Sequence, residues 1–183
     1  MNADGRRSNV AVVVVTVFLF AIGALRPERL AAKAVASKAV ACSAPAYREF
    51  DFWVGDWIVY DVAGADEVAH AYVTHMLNGC VVHEVYEEGP GHRGESFSIY
   101  DASQRRWQQT WMTNHGTLLT IEGNIRGGAM ILSGVEHVVG GGEKQVRGVW
   151  RPVAGAVRET AVTSRDGGRT WKPWFDLIFR PHR

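Results

Sequence analysis

The chain has almost no net charge, and this limits its partners. Its 183 residues include 20 Lys plus Arg and 19 Asp plus Glu, which gives a net charge of +1. Without an excess of positive charge there is no long-range field to draw the protein onto a phosphate backbone, so nucleic-acid binding is not expected.

The sequence also lacks the common short motifs of catalysis and cofactor binding. It contains no G-x-S-x-G elbow, no P-loop, no dinucleotide fingerprint and no H-E-x-x-H or C-x-x-C spacing. The glycines at 140–142 lack phosphate-cradling spacing and are interpreted as a turn. His75 and His83 flank Asn78-Gly79, and a hairpin there would direct them to opposite faces, away from a shared metal. No cofactor or metal is therefore predicted.

No apolar run is long enough for a typical membrane-spanning helix. Val10 to Leu25 is uncharged and follows Arg6 and Arg7, which is the pattern of a secretory signal. We therefore predict a signal peptide or signal anchor at 1–25, an Ala-rich linker at 26–46 and one globular domain at 47–183. The protein is expected to be exported, periplasmic or secreted, with membrane contact only through its N-terminal segment.

Cysteine is scarce, at two residues. A bond between Cys42 and Cys80 is chemically allowed in an exported protein. Cys42, however, lies in the predicted linker, which processing could remove. The favoured interpretation is that Cys80 is a small buried hydrophobe.

Helical periodicity is absent after Tyr47, and short alternating segments separated by Gly-rich turns take its place. The first predicted strand is Phe50 to Tyr60, bulged at Gly55-Asp56, and Asn78-Gly79 marks a hairpin. The pattern gives about ten sequential strands, which favours an all-β, up-and-down antiparallel barrel. A β-sandwich is the alternative.

Tryptophans alternate on one strand in a way that suits a binding cavity. Trp107, Gln109 and Trp111 share a face of the strand at 105–113, and Trp150 shares another face with Val146 and Gly148. A barrel interior with these groups would bind a small apolar or aromatic molecule. The predicted ligand-binding set is Trp107, Gln109, Trp111, Trp150, Tyr100 and Glu84. Alternatively, the tryptophans simply fill a narrow core.

Two further functions stay open. Glu84 or Glu159 could act as a general acid or base of a hydrolase or isomerase, if burial raised its pKa. Solvated or Arg-paired carboxylates would exclude this. A non-catalytic interaction protein would instead display loops such as Gly89 to Gly94 and Val139 to Lys144.

Several segments together resemble one family. Ser164 to Trp171 matches the Asp-box pattern S-x-D-x-G-x-T-W, which is interpreted as a structural turn. With this box, FDFWVGDW at 50–57, LNGCVVHE at 77–84, SIYD at 98–101 and RWQQTWMT at 106–113 resemble the DUF1579 family of exported bacterial proteins. The resemblance implies a lipocalin-like, calycin-type barrel and implies no particular activity.

Overall fold

Ten antiparallel strands form a closed barrel in the computed structural model, which describes residues 41–138 and 140–183. The strands are β1 (Gly55–Asp61), β2 (Glu67–Met76), β3 (Val81–Glu87), β4 (Arg93–Asp101), β5 (Arg106–Thr113), β6 (Leu118–Arg126), β7 (Ala129–His137), β8 (Glu143–Val153), β9 (Ala156–Ser164) and β10 (Lys172–Pro181).

Each strand pairs with its neighbour in sequence, and β1 pairs with β10 to close the barrel. This is the predicted up-and-down topology rather than a sandwich. Because every strand has two partners, the sheet has no free edge. Side chains alternate between the barrel interior and the outer wall along each strand. In β1, for example, Trp57 and Val59 are buried, whereas Asp56 and Ile58 are only partly buried.

The predicted hairpin at Asn78-Gly79 is confirmed in its register. Thr74 lies opposite His83, His75 opposite Val82 and Met76 opposite Val81. The turn itself is a short 3-10 helix, Leu77–Gly79, in which Asn78 has φ of 58° and Gly79 has φ of 83°. Asn and Gly tolerate this left-handed backbone better than other residues, which explains the turn's position.

The aromatic stretch at the start of the domain is not a single strand, which corrects the prediction for Phe50 to Tyr60. Strand β1 begins only at Gly55, and two 3-10 helices, Pro45–Arg48 and Asp51–Trp53, precede it. We call residues 45–53 the N-terminal plug. Its Phe50 and Trp53 are fully buried. Strand pairing at these positions would have left one face of the aromatic run in solvent, whereas the helical turns bury both rings.

A disulfide joins Cys42 to Cys80, with a Cα–Cα distance of 5.1 Å. The favoured interpretation of Cys80 as a free buried hydrophobe is therefore wrong. The bond attaches residues just before the N-terminal plug to the β2–β3 turn, and the Arg48 guanidinium donates to the Gly79 carbonyl at the same place. The turn and the plug thus hold each other in position.

The Asp box forms the expected turn between β9 and β10. The Asp166 carboxylate accepts hydrogen bonds from the backbone N–H groups of Arg169 and Thr170 and from the Thr170 hydroxyl. These bonds, with the Thr170 side chain contributing most, lower the pKa of Asp166 to about 2. The Trp171 indole N–H donates to the Gly168 carbonyl at 3.0 Å. In the described structure the Asp box thus stabilises a tight turn.

The predicted signal segment at 1–25 and the predicted linker up to residue 40 lie outside the described residues. Within residues 41–138 and 140–183, no helix has the length and apolar character needed to cross a membrane.

Candidate ligand-binding cavity

One end of the barrel encloses a cavity of about 500 Å³. It lies at the end where β1 finishes and β2 begins, since Asp61 and Val68 are among its lining residues. The walls are mainly apolar and aromatic, with a few carboxyl and amide groups. The size and character are those of a small-molecule site.

The other end of the barrel is filled. Phe50 of the N-terminal plug stacks on Trp53 at 5.0 Å and meets the rings of Trp107 and Trp150 edge-on at 5.7 and 5.6 Å. Trp53 also packs against Phe179, at 6.2 Å between ring centroids. This aromatic cluster fills the barrel interior where β1 begins, at the end opposite the cavity.

Two glycines leave room for the indole rings of two tryptophans that line the cavity. A Cβ at Gly94 would be 2.3 Å from Cη2 of Trp111, and a Cβ at Gly148 would be 2.7 Å from Cη2 of Trp150. Both distances are shorter than any real contact, so a larger residue would push the indoles into the cavity. The strand sequences around the tryptophans are thus compatible with an open interior.

Two glutamates direct their carboxyl groups into this apolar space. Glu84 on β3 is only 5% exposed, and the buried hydroxyl of Ser96 donates to its Oε2 at 2.9 Å. Glu159 on β9 lies directly across from Trp150 on β8. Both residues line the cavity. No lysine or arginine is paired with either carboxylate among the described ion pairs.

Burial makes both carboxyl groups hard to ionise. It raises the pKa of Glu84 from 4.5 to about 8, against the opposing effect of the Ser96 hydrogen bond. Burial also raises the pKa of Glu159 well above its ordinary value, and the nearby charge of Glu84 raises it further. The pKa of the Tyr86 hydroxyl is raised by its own burial and by the surrounding carboxylates. At neutral pH the Glu84 carboxyl therefore keeps its proton, and ionisation of Glu159 is also disfavoured.

The structure brings together four of the six predicted ligand-binding residues. Glu84, Gln109, Trp111 and Trp150 line the cavity. The Gln109 amide is 4% exposed and donates to the Ser98 hydroxyl at 3.1 Å, which fixes its orientation.

Trp107 and Tyr100 are placed nearer the filled end. Trp107 is fully buried, and its indole N–H donates to Glu49 at 3.3 Å. Tyr100 packs between Trp107 and Tyr47, with ring centroids 6.1 and 5.3 Å away. Neither is part of the cavity wall. Ligand contact by any of the six residues stays a prediction.

Several wall residues were not named from the sequence, among them Tyr86, Leu119, Ile121, Phe175 and Leu177. Alternation gives a partial signal, because Phe175 and Leu177 are two residues apart on the last strand and so share one face. What the sequence could not supply was which strand faces meet across the closed barrel. Tyr86, for example, contacts Trp111 edge-on at 5.9 Å.

The loop at Gly89 to Gly94 lies beside the cavity rather than in its wall. Next to the mouth is a recess of about 200 Å³ whose lining includes His92, Gly94, Trp111 and His115. The other loop proposed for display, Val139 to Lys144, includes Val139, which lies outside the described residues. Trp111 is shared by the recess and the cavity, so the two spaces adjoin.

The histidines at the β2–β3 hairpin have separate partners, in keeping with the predicted opposite faces. His75 contacts Asp51 of the N-terminal plug at 3.3 Å, whereas His83 contacts Glu95 on β4 at 2.9 Å. Asp56, at the predicted bulge, lies against His70 and His182.

Fold and cavity together define the class of the protein: a closed, ten-stranded antiparallel β-barrel with an internal cavity. Comparison with known families finds none whose model matches the chain. Comparison with curated proteins also finds no match. The resemblance to DUF1579 therefore stays a prediction.

Proposed function

We propose that the barrel binds a small, mainly apolar or aromatic molecule, and that a basic or hydrogen-bonding group of this molecule meets Glu84 and Glu159. One observation carries the proposal: an aromatic-walled cavity of about 500 Å³ contains two carboxyl groups, those of Glu84 and Glu159, whose pKa is raised by burial and which have no cationic partner among the described residues.

The apolar walls supply affinity for a ring or hydrocarbon body. Each Å² of apolar surface removed from water contributes about 25 cal/mol, and wide aromatic faces such as those of Trp111 and Trp150 contact planar molecules well. Area alone does not set affinity, because the ligand also loses freedom on binding. Polar groups at fixed positions then determine orientation.

The carboxyl pair selects the polar group of the ligand. A buried carboxyl with a raised pKa costs free energy to ionise, and a bound cation offsets that cost by stabilising the carboxylate. An anionic ligand would meet the opposite effect. The cavity should therefore prefer cationic or neutral donor groups to anions.

Three naphthalene probes of matched shape test this preference at pH 7: 1-naphthylmethylamine, 1-naphthalenemethanol and 1-naphthoate, titrated by calorimetry. We expect the amine to bind best and the carboxylate worst. The E84Q/E159Q variant should lose about 10- to 100-fold in affinity for the amine, the range for a charged hydrogen bond, and little for the alcohol.

E67Q is the matched control, because Glu67 is exposed at the start of β2. It should bind all three probes like the wild type. Tightest binding of the naphthoate, or no binding of any probe, would contradict the proposal.

A hydrolase or isomerase is the second candidate, and the same carboxyl pair favours it. A protonated carboxyl with a raised pKa beside an open cavity is a suitable general acid, and its ionised form a suitable base. The E84Q/E159Q variant separates the candidates. An enzyme is favoured if the wild type hydrolyses the acetate ester of 1-naphthalenemethanol, and the variant binds the alcohol normally but does not hydrolyse the ester.

We also infer that the protein is exported. The basic residues and apolar run at its N-terminus support this, and so does the Cys42–Cys80 disulfide, since such bonds persist mainly in oxidising compartments.

A further inference from the structure

Three side chains on the outer wall of the barrel bring metal-ligating atoms together. One ligand atom from each of Asp56, His70 and His182 lies within 4.8 Å of the others. Asp56 Oδ1 is 2.5 Å from His70 Nε2, and Asp56 Oδ2 is 3.3 Å from His182 Nδ1. The two imidazole rings are 4.9 Å apart.

Barrel closure creates this cluster from distant parts of the chain. Asp56 lies on β1, His70 on β2 and His182 just after β10. The pairing of Trp57 with Pro181 continues one step to a bond from His182 N–H to the Asp56 carbonyl at 2.9 Å. The pairing of Ile58 with His70 places that histidine on the other side of Asp56.

All three side chains point away from the cavity. Trp57 and Val59, the inward neighbours on β1, are buried, whereas the side chains of Asp56, His70 and His182 are 39%, 38% and 47% exposed. Any role of the cluster is therefore independent of the cavity, at the opposite end of β1 from Asp61.

We propose that Asp56, His70 and His182 bind a divalent transition-metal ion of the Zn²⁺ type on the outer wall of the barrel. Two imidazoles and a carboxylate are ligands that Zn²⁺ accepts, and three protein ligands leave a fourth position for water or an external group.

The geometry requires little rearrangement. With metal–ligand bonds of about 2.0–2.2 Å, neighbouring ligands of a tetrahedral site lie about 3.3 Å apart. Asp56 Oδ2 already lies at this distance from His182 Nδ1, and Asp56 Oδ1 must move less than about 1 Å away from His70 Nε2. Because these are two oxygens of one carboxylate, the Asp56 carboxylate must also turn so that it faces an ion shared with both imidazoles. Partly exposed side chains can make such an adjustment by rotating. Because the ligands come from β1, from β2 and from the residue directly after β10, the ion would also join the strands that close the barrel.

Zn²⁺ titration of untagged protein against a competing chelator dye tests the site. The wild type should bind one ion per chain, and its thermal midpoint should rise on addition of Zn²⁺. H70A and H182A should each bind at least about 10-fold more weakly, since loss of even an outer-shell partner costs about 10- to 100-fold. D56N keeps the shape of the side chain and should weaken binding as well.

H137A is the matched control. His137 forms an exposed pair with the Glu143 carboxylate at 3.3 Å, and no third metal-ligating side chain of the described residues joins this pair. It should leave Zn²⁺ affinity unchanged. A second control, H92A/H115A, removes the pair of rings 4.2 Å apart at the rim of the cavity.

The result that would overturn the proposal is absence of one-to-one binding in the wild type, or wild-type affinity in both H70A and H182A. Loss of binding only in H92A/H115A would move the site to the rim and refute the assignment.

Discussion

Because Glu84 keeps its proton in the folded barrel, the free energy of unfolding should fall as the pH rises from 5 to 8. The native state raises the pKa of this carboxyl from 4.5 to about 8 through burial. Below pH 4.5 the group holds its proton in both the folded and the unfolded chain, so no penalty exists. Above that value the unfolded chain releases the proton while the native protein keeps it, and the free energy of unfolding falls.

The size of this fall follows from the shift. Each pKa unit corresponds to about 1.4 kcal/mol, so the full penalty is on the order of 5 kcal/mol above pH 8 and about 3 kcal/mol at pH 7. The side chain is 5% exposed, so solvent screening is small. Glu159 adds to the same trend, because its pKa is raised in the same direction.

Urea unfolding of the wild type, E84Q and E67Q at pH 5, 6, 7 and 8 measures the effect with the disulfide intact. E84Q should make the free energy of unfolding depend less on pH, because glutamine does not ionise. Without a carboxylate at position 84, Glu159 also ionises more easily. E67Q should follow the wild type. The acidic groups with lowered pKa, such as Asp166, titrate below this window. A wild-type profile that is flat or rises with pH, or an E84Q profile parallel to it, would refute the account of the buried pair.

Two further predictions concern the N-terminal plug. The C42S/C80S variant should lose about 4 kcal/mol in the free energy of unfolding measured in urea, which is the chain-entropy value for a loop of 38 residues. An unchanged free energy of unfolding would mean that the disulfide does not stabilise the fold. F50A should lower the free energy of unfolding by about 3–5 kcal/mol, because it removes a fully buried ring that packs against Trp53, Trp107 and Trp150. A loss below about 1 kcal/mol in the same assay would mean that the plug is not part of the core.

The barrel was predictable because its signals are local. Alternation along Arg106–Thr113 and the Asn78-Gly79 turn specify strand faces and register without knowledge of the rest of the fold. The N-terminal plug was not predictable in the same way. Phe50, Phe52 and Trp53 have strand propensity, and only the open end of the closed barrel makes it favourable for them to turn inward.

The candidate sites depended on contacts that no local pattern reveals. Glu84 and Glu159 were each named from the sequence as a candidate acid or base, yet their mutual influence arises only when β3 and β9 face each other across the interior. The cluster of Asp56, His70 and His182 likewise exists only because β10 returns to β1. Cys42 lay in a segment predicted to be a linker that processing could remove, and the disulfide attaches this residue to the β2–β3 turn.

Blocking the cavity from within tests the central claim most directly. Ala161 is buried and lines the cavity, whereas Thr160 precedes it on β9 and points to the opposite face. Calorimetric titration with 1-naphthalenemethanol should show full binding to the wild type and to T160W, weaker binding to A161L and the weakest binding to A161W. Cooperative unfolding confirms that each variant is folded. Equal binding to the wild type and to a folded A161W would contradict the claim that the ligand occupies the barrel interior.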